Sequence, residues 1–517
     1  MARTLDFLAI DLGASSGRVV AGHWDGATFG LSEVHRFPNE PVSQMGRLHW
    51  DALGLWSEIK RGLARHAALQ RNGAEIEGGA GPGAKPGVTE RQGELAGLGL
   101  DTWGVDFGLL DRAGNLLGNP YSYRDARTTG MMPLAFAHVP RRDVFRATGV
   151  QPMQYNTLYQ LLAMAQAKDP QLDAAATILT MPNLFAYWLS GRPVAERTHA
   201  STTQCLDASG GGWATALLDA LSIPTRIFPP LVEPGTLLGP LSSDVASETG
   251  LRAAPVFAVG CHDTASAVAA IPGLDSHSAY ISSGTWSLMG VELPSPIVTD
   301  AALVAGFTNE GGVAGTTRLL RNIPGLWLVA ECRRRWRRDG HDYGWDELVA
   351  MAERAPGLRS LIDPDHPSLL NPPDMPAAIG ALCLATGQPR PETVGEVVRC
   401  CLDSLALRCR ATLDDLAAVT GERPTVLRVV GGGSQNRLLC QLTADACGLP
   451  LVAGPVEATA FGNVIVQAIA AGELAGVAEG RAAIAASVKL ESYEPRAGTD
   501  WDAALSRLRE MSSHVQD

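Results

Sequence analysis

The chain has 517 residues, 46% hydrophobic and 19% charged, which fits a well-packed protein of two or more domains. Its net charge of −12, from 42 basic against 54 acidic residues, argues against a nucleic-acid partner and gives no support for an anionic membrane surface. An anionic small-molecule substrate is not excluded, because Gly-rich backbone binds phosphate independently of net charge.

The first residues, MARTLDFLAIDLG, hold an apolar run that ends at Asp11, too short for a secretion signal and lacking a small-residue cleavage site. No stretch reaches the roughly 18 apolar residues a membrane span needs. Nine cysteines without CxxC spacing fit reduced thiols in the core of a cytoplasmic protein. Adjacent Cys400 and Cys401 cannot share one side of a helix, which argues against a metal site there. Composition leaves the oligomeric state open.

In chain order, residues 8–12 read as a buried strand, followed by a turn at 13–17 and a second strand at 18–24. A turn at Asp25-Gly26 leads to a third strand at 29–37. Asp51 then reads as the cap of a helix with Leu55, Ile59, Leu63 and Ala67 at spacing four. The Gly/Pro-rich tract 72–93 cannot bury enough apolar surface to order itself and reads as a mobile surface loop. Apolar character returns at 95–100 and runs through DTWGVDFGLLD to YRDART.

The second half resembles a repeat of the first. It predicts a strand at 255–259, a helix from 262, a strand at 279–282, a Ser-Gly-Thr turn and a strand at 286–291. A long amphipathic helix follows at 393–416, then a strand at 426–430 running into Gly431-Gly432-Gly433, a helix, a strand at 449–453 and a turn into 463–471. Strand–turn–strand units opening each half point to an old internal duplication in an α/β fold, with a lobe boundary near 252–255.

Three Gly/Ser/Thr turns follow apolar strands: DLGASSGR, SSGTWS and VVGGGSQN. Any one could be a plain hairpin turn. Three together favour a nucleotide-phosphate site made of backbone N–H groups and hydroxyls. The absence of GxxxxGK[ST] excludes a standard P-loop. Asp11 and Asp263 stand beside such turns, where phosphoryl transfer would use a Mg²⁺-holding carboxylate and a base. Asp263, between His262 and Thr264, is the stronger base candidate; the plainer alternatives are a helix N-cap for Asp263 and a structural turn for Asp11. Asp101, Trp103, Gly104, Asp106, Arg124, Asp125 and Arg127 could form a sugar-binding polar–aromatic cluster, or surface polarity around a core Trp103. RRRWRR at 333–338 reads as a solvated helix face.

Taken together, AIDLGASSGRV, FPNEPVSQMGRLHWD, DTWGVDFGLLD, YRDART, QYNTLYQL, CHDTASAV, AYISSGTWSLMG, TNEGG, RNIPGLWL, CLDSLAL, VVGGGSQN, ADACG and AGPVEATAFGN resemble the carbohydrate-kinase family that includes glycerol kinase and xylulokinase. The resemblance implies an α/β fold of two actin-like, ribonuclease-H-like lobes with an ATP/sugar cleft. It implies a sugar-binding lobe at 1–254 and a nucleotide-binding lobe at 255–517. It also implies ATP and Mg²⁺, with phosphoryl transfer to the 1-hydroxyl of a ketose; L-rhamnulose, in L-rhamnose catabolism, fits best. By position, Ala14, Ser15, Ser16, Gly17, Arg18, Thr285 and Gly432 would line the ATP phosphates. Gly104, His262, Asp263, Thr264 and Asn322 would face the sugar, with Asp263 as general base and Asp11 holding Mg²⁺ through water. The chain departs from the pattern at Ala330, where a nucleotide-contacting Gln is expected, at Asn183 in place of Asp, and at Ser434 and Thr443 in place of cysteines. Another ketose remains an alternative acceptor, and an actin-like ATPase or sugar sensor an alternative class.

Overall fold

Every residue of LDFLAIDL is buried, so this segment needs cover on both faces and neighbours on both edges. In the computed structural model, which describes residues 4–72, 94–284 and 286–513, it forms β1 (Leu5–Leu12) inside a six-stranded sheet. The antiparallel strands β2 (Ser16–Trp24) and β3 (Phe29–Pro38) continue the sheet on one side of β1. On its other side lie the parallel strands β4 (Glu94–Thr102) and, beyond β4, β6 (Pro255–Phe257). An antiparallel edge strand, β5 (Leu237–Pro240), closes the order β5-β6-β4-β1-β2-β3. Apart from Asn72, the tract 72–93 lies outside the described residues, as does Thr285.

Helix α1 (Ala52–Asn72) packs on this sheet through the predicted stripe, with Leu55, Ile59, Leu63 and Ala67 all buried. Each large aliphatic side chain so removed from water contributes about 1.5–3 kcal/mol. Asp51 starts the helix by accepting from Gly54 N at 3.0 Å. Helix α2 (Asp263–Ala269) follows β6, as the sequence predicts, and is buried over most of its length.

The chain divides into two compact units, but not at 254/255. One unit comprises Met1–Gly273, Glu292–Leu319 and Ala458–Lys489; the other comprises Leu274–Val291, Leu320–Glu457 and Leu490–Asp517. The reason is pairing: β6 binds β4, which ties the segment after residue 254 to the first sheet.

The second unit repeats the strand grammar of the first. Strand β7 (Ser278–Ser283) turns back on itself into the antiparallel β8 (Trp286–Leu293). Helices α3 (Trp327–Arg338) and α4 (Val394–Thr420) precede β9 (Val426–Val430), which lies parallel to β7. Helix α5 (Arg437–Cys447) then leads to β10 (Leu451–Ala453), parallel to β9. An antiparallel edge strand, β11 (Glu491–Tyr493), completes the run β8-β7-β9-β10-β11, five strands of a seven-stranded sheet. This matches β2-β1-β4-β6-β5 of the first unit strand for strand, directions included. The duplication read from the sequence is thus present, although the edge strand precedes its neighbour in the first unit and follows it in the second.

Two further expectations hold. Helix α4 begins with a capping box, Thr393 with Glu396, and ends at the left-handed Gly421. The arginines of α3 lie on a solvated face, where Arg333, Arg334, Arg335 and Arg337 pair with Glu331, Asp339, Asp342 and Asp374. All nine cysteines are free and buried. Among the described residues no helix is long and apolar enough to cross a membrane. Helix α6 (Ala458–Ala470) returns to the first unit, where it packs closely on α2 and β1.

Candidate active site

In an open α/β sheet, ligands bind beyond the carboxyl ends of the parallel strands. In the first unit those ends carry carboxylates. Register pairs Asp11 of β1 with Asp101 of β4 on one side and with Arg18 of β2 on the other. Arg18 donates to Asp11 Oδ2 from Nε at 2.9 Å and from Nη2 at 2.7 Å. Asp101 is fully buried; its Oδ2 accepts from Asn463 Nδ2 at 2.6 Å, while its Oδ1 has no protein partner. Burial, and then the nearby charge of Asp11, push the Asp101 carboxyl well above the usual range.

A bridge between Thr102 and His262, with Thr102 N donating to Cys261 O at 2.9 Å, carries the parallel pairing one step past the strands. It sets Asp263 near this carboxylate group. Asp263 is the first residue of α2 and not its N-cap; His262 holds that position, with no side-chain cap bond. Asp263 Oδ1 accepts instead from Thr264 Oγ1 at 3.0 Å. Burial raises the Asp263 carboxyl, His262 opposes the rise, and the Asp11 charge adds to it. A carboxylate made more basic in this way suits proton abstraction.

The segment 196–202 clamps the strand ends. Glu196 is buried, and its oxygens accept from Thr198 N, Thr198 Oγ1, His199 N and Cys261 N at 2.6–3.1 Å. Thr198 Oγ1 in turn accepts from His262 N at 3.3 Å. Asn183, the departure from the expected Asp, accepts from Glu196 N at 3.2 Å and so supports the clamp. Burial holds the Glu196 carboxyl at about 7 despite these donors. His199 Nε2 donates to Trp103 O at 2.9 Å, and Thr202 Oγ1 accepts from Val105 N at 3.1 Å. Between these contacts sits Gly104. A Cβ there would stand 3.3 Å from Thr202 Oγ1 and 3.5 Å from His262 Nε2, so any side chain would crowd the space beside His262.

Most of the polar–aromatic cluster is a buried hydrogen-bonded network, with Trp103 in the core. Asp106 is fully buried; its Oδ2 accepts from Trp50 Nε1 at 2.5 Å, Trp103 Nε1 at 3.0 Å and Tyr123 N at 3.1 Å, and its Oδ1 from Gln160 Nε2 at 3.0 Å. These bonds tie Trp50, Trp103, Tyr123 and Gln160 to one buried carboxylate. Asp125 caps the turn at Arg127, whose guanidinium lies 3.9 Å over the Tyr121 ring and donates to Gln160. Arg124 alone of these charged side chains is exposed.

The DLGASSGR turn is tight: Gly13 N donates to Ser16 O at 2.9 Å, and Asn39 Nδ2 donates to Gly13 O at 2.7 Å. This leaves Ala14 and Ser15 at its tip. Gly17 is held for packing, since a Cβ would meet the Phe37 ring at 2.3 Å.

In the second unit the other two turns pack against each other. Gly431 adopts φ +83°, and a Cβ on Gly433 would lie 2.0 Å from Ser283 Oγ. Gly432 between them is exposed, with open space where a side chain would point. Behind the turn lies a small apolar cavity lined by Ile281, Ile323, Leu405, Leu439, Cys440 and Thr443. Asn322 is exposed on the strand Thr317–Pro324.

Sequence reasoning passed over Glu196, His199, Asn463, Glu310 and Arg318. The family-like blocks TNEGG and AGPVEATAFGN already contained Glu310 and Asn463. Nothing in their spacing indicated that their side chains meet the HDT and DTW segments.

A duplicated ribonuclease-H-like sheet, with carboxylates at its strand ends and Gly-rich turns after its strands, defines the actin-like phosphotransferases. Residues 7–270 match the N-terminal domain, and residues 279–471 the C-terminal domain, of the FGGY family of carbohydrate kinases. The chain belongs to that family and is an ATP-dependent sugar kinase. It is 44% identical over 504 residues to a rhamnulokinase of Bacteroides thetaiotaomicron, covering 98% of this chain and 99% of that one. It is 40% identical to a rhamnulokinase of Pectobacterium atrosepticum, covering 98% and 96%. Among solved structures it is similar to a xylulose kinase of Rhodospirillum rubrum, with a TM-score of 0.79 at 19% identity, covering 99% of each chain.

Proposed function

We propose that the chain phosphorylates L-rhamnulose at its 1-hydroxyl with Mg-ATP, Asp263 acting as general base, in the catabolism of L-rhamnose. The observation that carries the reading is the seat of Asp263 beyond the strand ends, its basicity raised by burial and by Asp11. Relatives covering nearly the whole chain and bearing the name rhamnulokinase support the choice of sugar.

The residues fit a Mg²⁺ ion. The donors are hard carboxylate oxygens, and Asp101 keeps one buried oxygen without a partner beside the charge of Asp11. Among the described residues no three acidic, His or Cys side chains converge on a metal, which suits an ion that keeps most of its waters, with Asp11 holding it through one. Bound there, Mg²⁺ would neutralise charge on the ATP phosphates.

The protein's own part is positioning and proton removal. By resemblance to the family, Gly104, His262, Thr264 and Asn322 are assigned to the sugar, and Ala14, Ser15, Ser16, Gly17, Arg18, Thr285 and Gly432 to the ATP phosphates. Asp263 takes the 1-hydroxyl proton as the O1–P bond forms and the bond to the β-phosphate oxygen breaks, releasing ADP. The buried free thiols fit a reducing cytoplasmic setting.

ADP release with Mg-ATP and L-rhamnulose, L-fuculose, L-xylulose, L-ribulose or glycerol tests the substrate. A strong L-rhamnulose preference is expected, and faster turnover of another ketose would overturn that choice. Asp263→Asn should lower kcat on the order of 10²–10⁴-fold while sugar and ATP still bind. Near-parental turnover would remove Asp263 from the role.

A further inference from the structure

His262 is gripped from the side opposite Asp263. Its Nε2 stands 3.4 Å from Asp263 Oδ1, and its Nδ1 stands 3.2 Å from Glu310 Oε2. Glu310, on the strand Thr308–Gly311, shares Oε2 with Arg318 Nη2 at 3.1 Å; the same Nη2 lies 3.2 Å from His262 Nδ1. Arg318 is fully buried and fixed further by donating from Nε to Gly311 O at 3.0 Å. The four side chains thus run Arg318–Glu310–His262–Asp263 through the first unit. The chain of contacts begins at a buried cation and ends at a partly exposed carboxylate.

We propose that Glu310, seated on Arg318, is a positioning residue that fixes the His262 ring and through it the carboxylate of Asp263. The proposal rests on the reading of Asp263 as base. Three observations carry it. A carboxylate and a guanidinium both stand against Nδ1, which donates to Glu310 in one tautomer or accepts from Arg318 in the other, so a flip of the imidazole breaks the contact in use. Thr264 Oγ1 and His262 Nε2 both lie against Oδ1 of Asp263, which assigns the incoming proton to Oδ2. Arg318 is fully buried, and its Nη2 is shared between Glu310 Oε2 at 3.1 Å and His262 Nδ1 at 3.2 Å, so the pair is tied to the ring as well as to itself. Burial alone would raise the Glu310 carboxyl, but the His262 bond and charge and then Arg318 outweigh it and hold it at about 2. Glu310 therefore stays an anion at any working pH.

The test is a set of kinetic measurements on Glu310→Gln, His262→Gln, their combination, and Asp263→Asn. Glu310→Gln is expected to lower kcat about 10- to 100-fold, the cost of a misaligned base, with both KM values within about threefold of the parent. Added to His262→Gln it should cost less than about twofold more, because its effect passes through that ring. Since Glu310→Gln leaves Arg318 buried and unpaired, Glu310→Gln with Arg318→Gln is the companion variant; it should recover Tm yet keep the loss of kcat. A parental kcat in Glu310→Gln, full multiplication of the two single effects, or recovery of kcat along with Tm would each overturn the positioning role. An inactive Asp263→Asn beside an unimpaired Glu310→Gln would sink this inference alone. A fully active Asp263→Asn would sink the base reading and this inference together.

Discussion

Asp106 shows how one buried carboxylate can hold several elements together. Its four donors come from Trp50, Trp103, Tyr123 and Gln160, and burial still raises its carboxyl despite them. Asp106→Asn would replace an acceptor with an NH₂ group, so that one or more buried donors face a donor. A loss of about 2–3 kcal/mol in urea-denaturation stability is expected; unchanged stability would mean the hub is relaxed. The sequence marked DTWGVDF as important but could not tell which carboxylate stands at the strand ends and which is bonded into the protein. Gly104, Asp106 and Asp101 lie within six positions of one another, and only the turn after β4 sends them in different directions.

Among the elements, α2 and α6 approach so closely that glycine is required between them. A Cβ on Gly462 would stand 1.7 Å from the backbone oxygen of Ser266. Gly462→Ala must therefore push α6 off α2, three residues beyond Asp263, at a cost of about 1–3 kcal/mol. Thermal melts should show a lowered Tm, and kcat should fall with it because Asn463 of α6 holds Asp101. A variant with parental Tm and kcat would show that the helices part freely. Elements of the two sheets were legible, with the spacing-four stripe predicting α1 and apolar runs predicting β1, β4 and β9, whereas helices such as Thr157–Gln166, Met181–Ser190 and Met375–Ala385 were not read. Their boundaries moved by up to four residues, since capping and pairing decide ends more than hydrophobic period does.

For the molecule as a whole, buried imidazoles couple stability to pH. His66 lies fully buried near Asp6 and His23, and neither of its ring nitrogens has a protein partner. Burial lowers it to about 4. The unfolded chain therefore binds a proton near pH 6.5 that the folded chain refuses until about 4. The associated stability is full above pH 6.5 and lost as pH falls through that window, by up to about 3 kcal/mol. Buried carboxyls such as Glu196 slope the other way, so the effect is isolated by comparison with His66→Leu. The Tm difference between parent and variant should shift in the variant's favour from pH 7.5 to 5; a constant difference would show that His66 does not titrate this way.

Composition, hydrophobic period and turn chemistry determined, without structure, the α/β class, the duplicated strand grammar, the Gly-rich turns and the prominence of Asp263. These are local properties: a period or a turn residue acts within a few positions of itself. Tertiary structure alone decided where the units divide, that Asp106 faces inward, and that Glu196, Asn463, Glu310 and Arg318 converge on the strand ends. Asp101 and Asn463 are separated by 362 positions. Their contact depends on sheet register and helix packing, which no window of sequence contains.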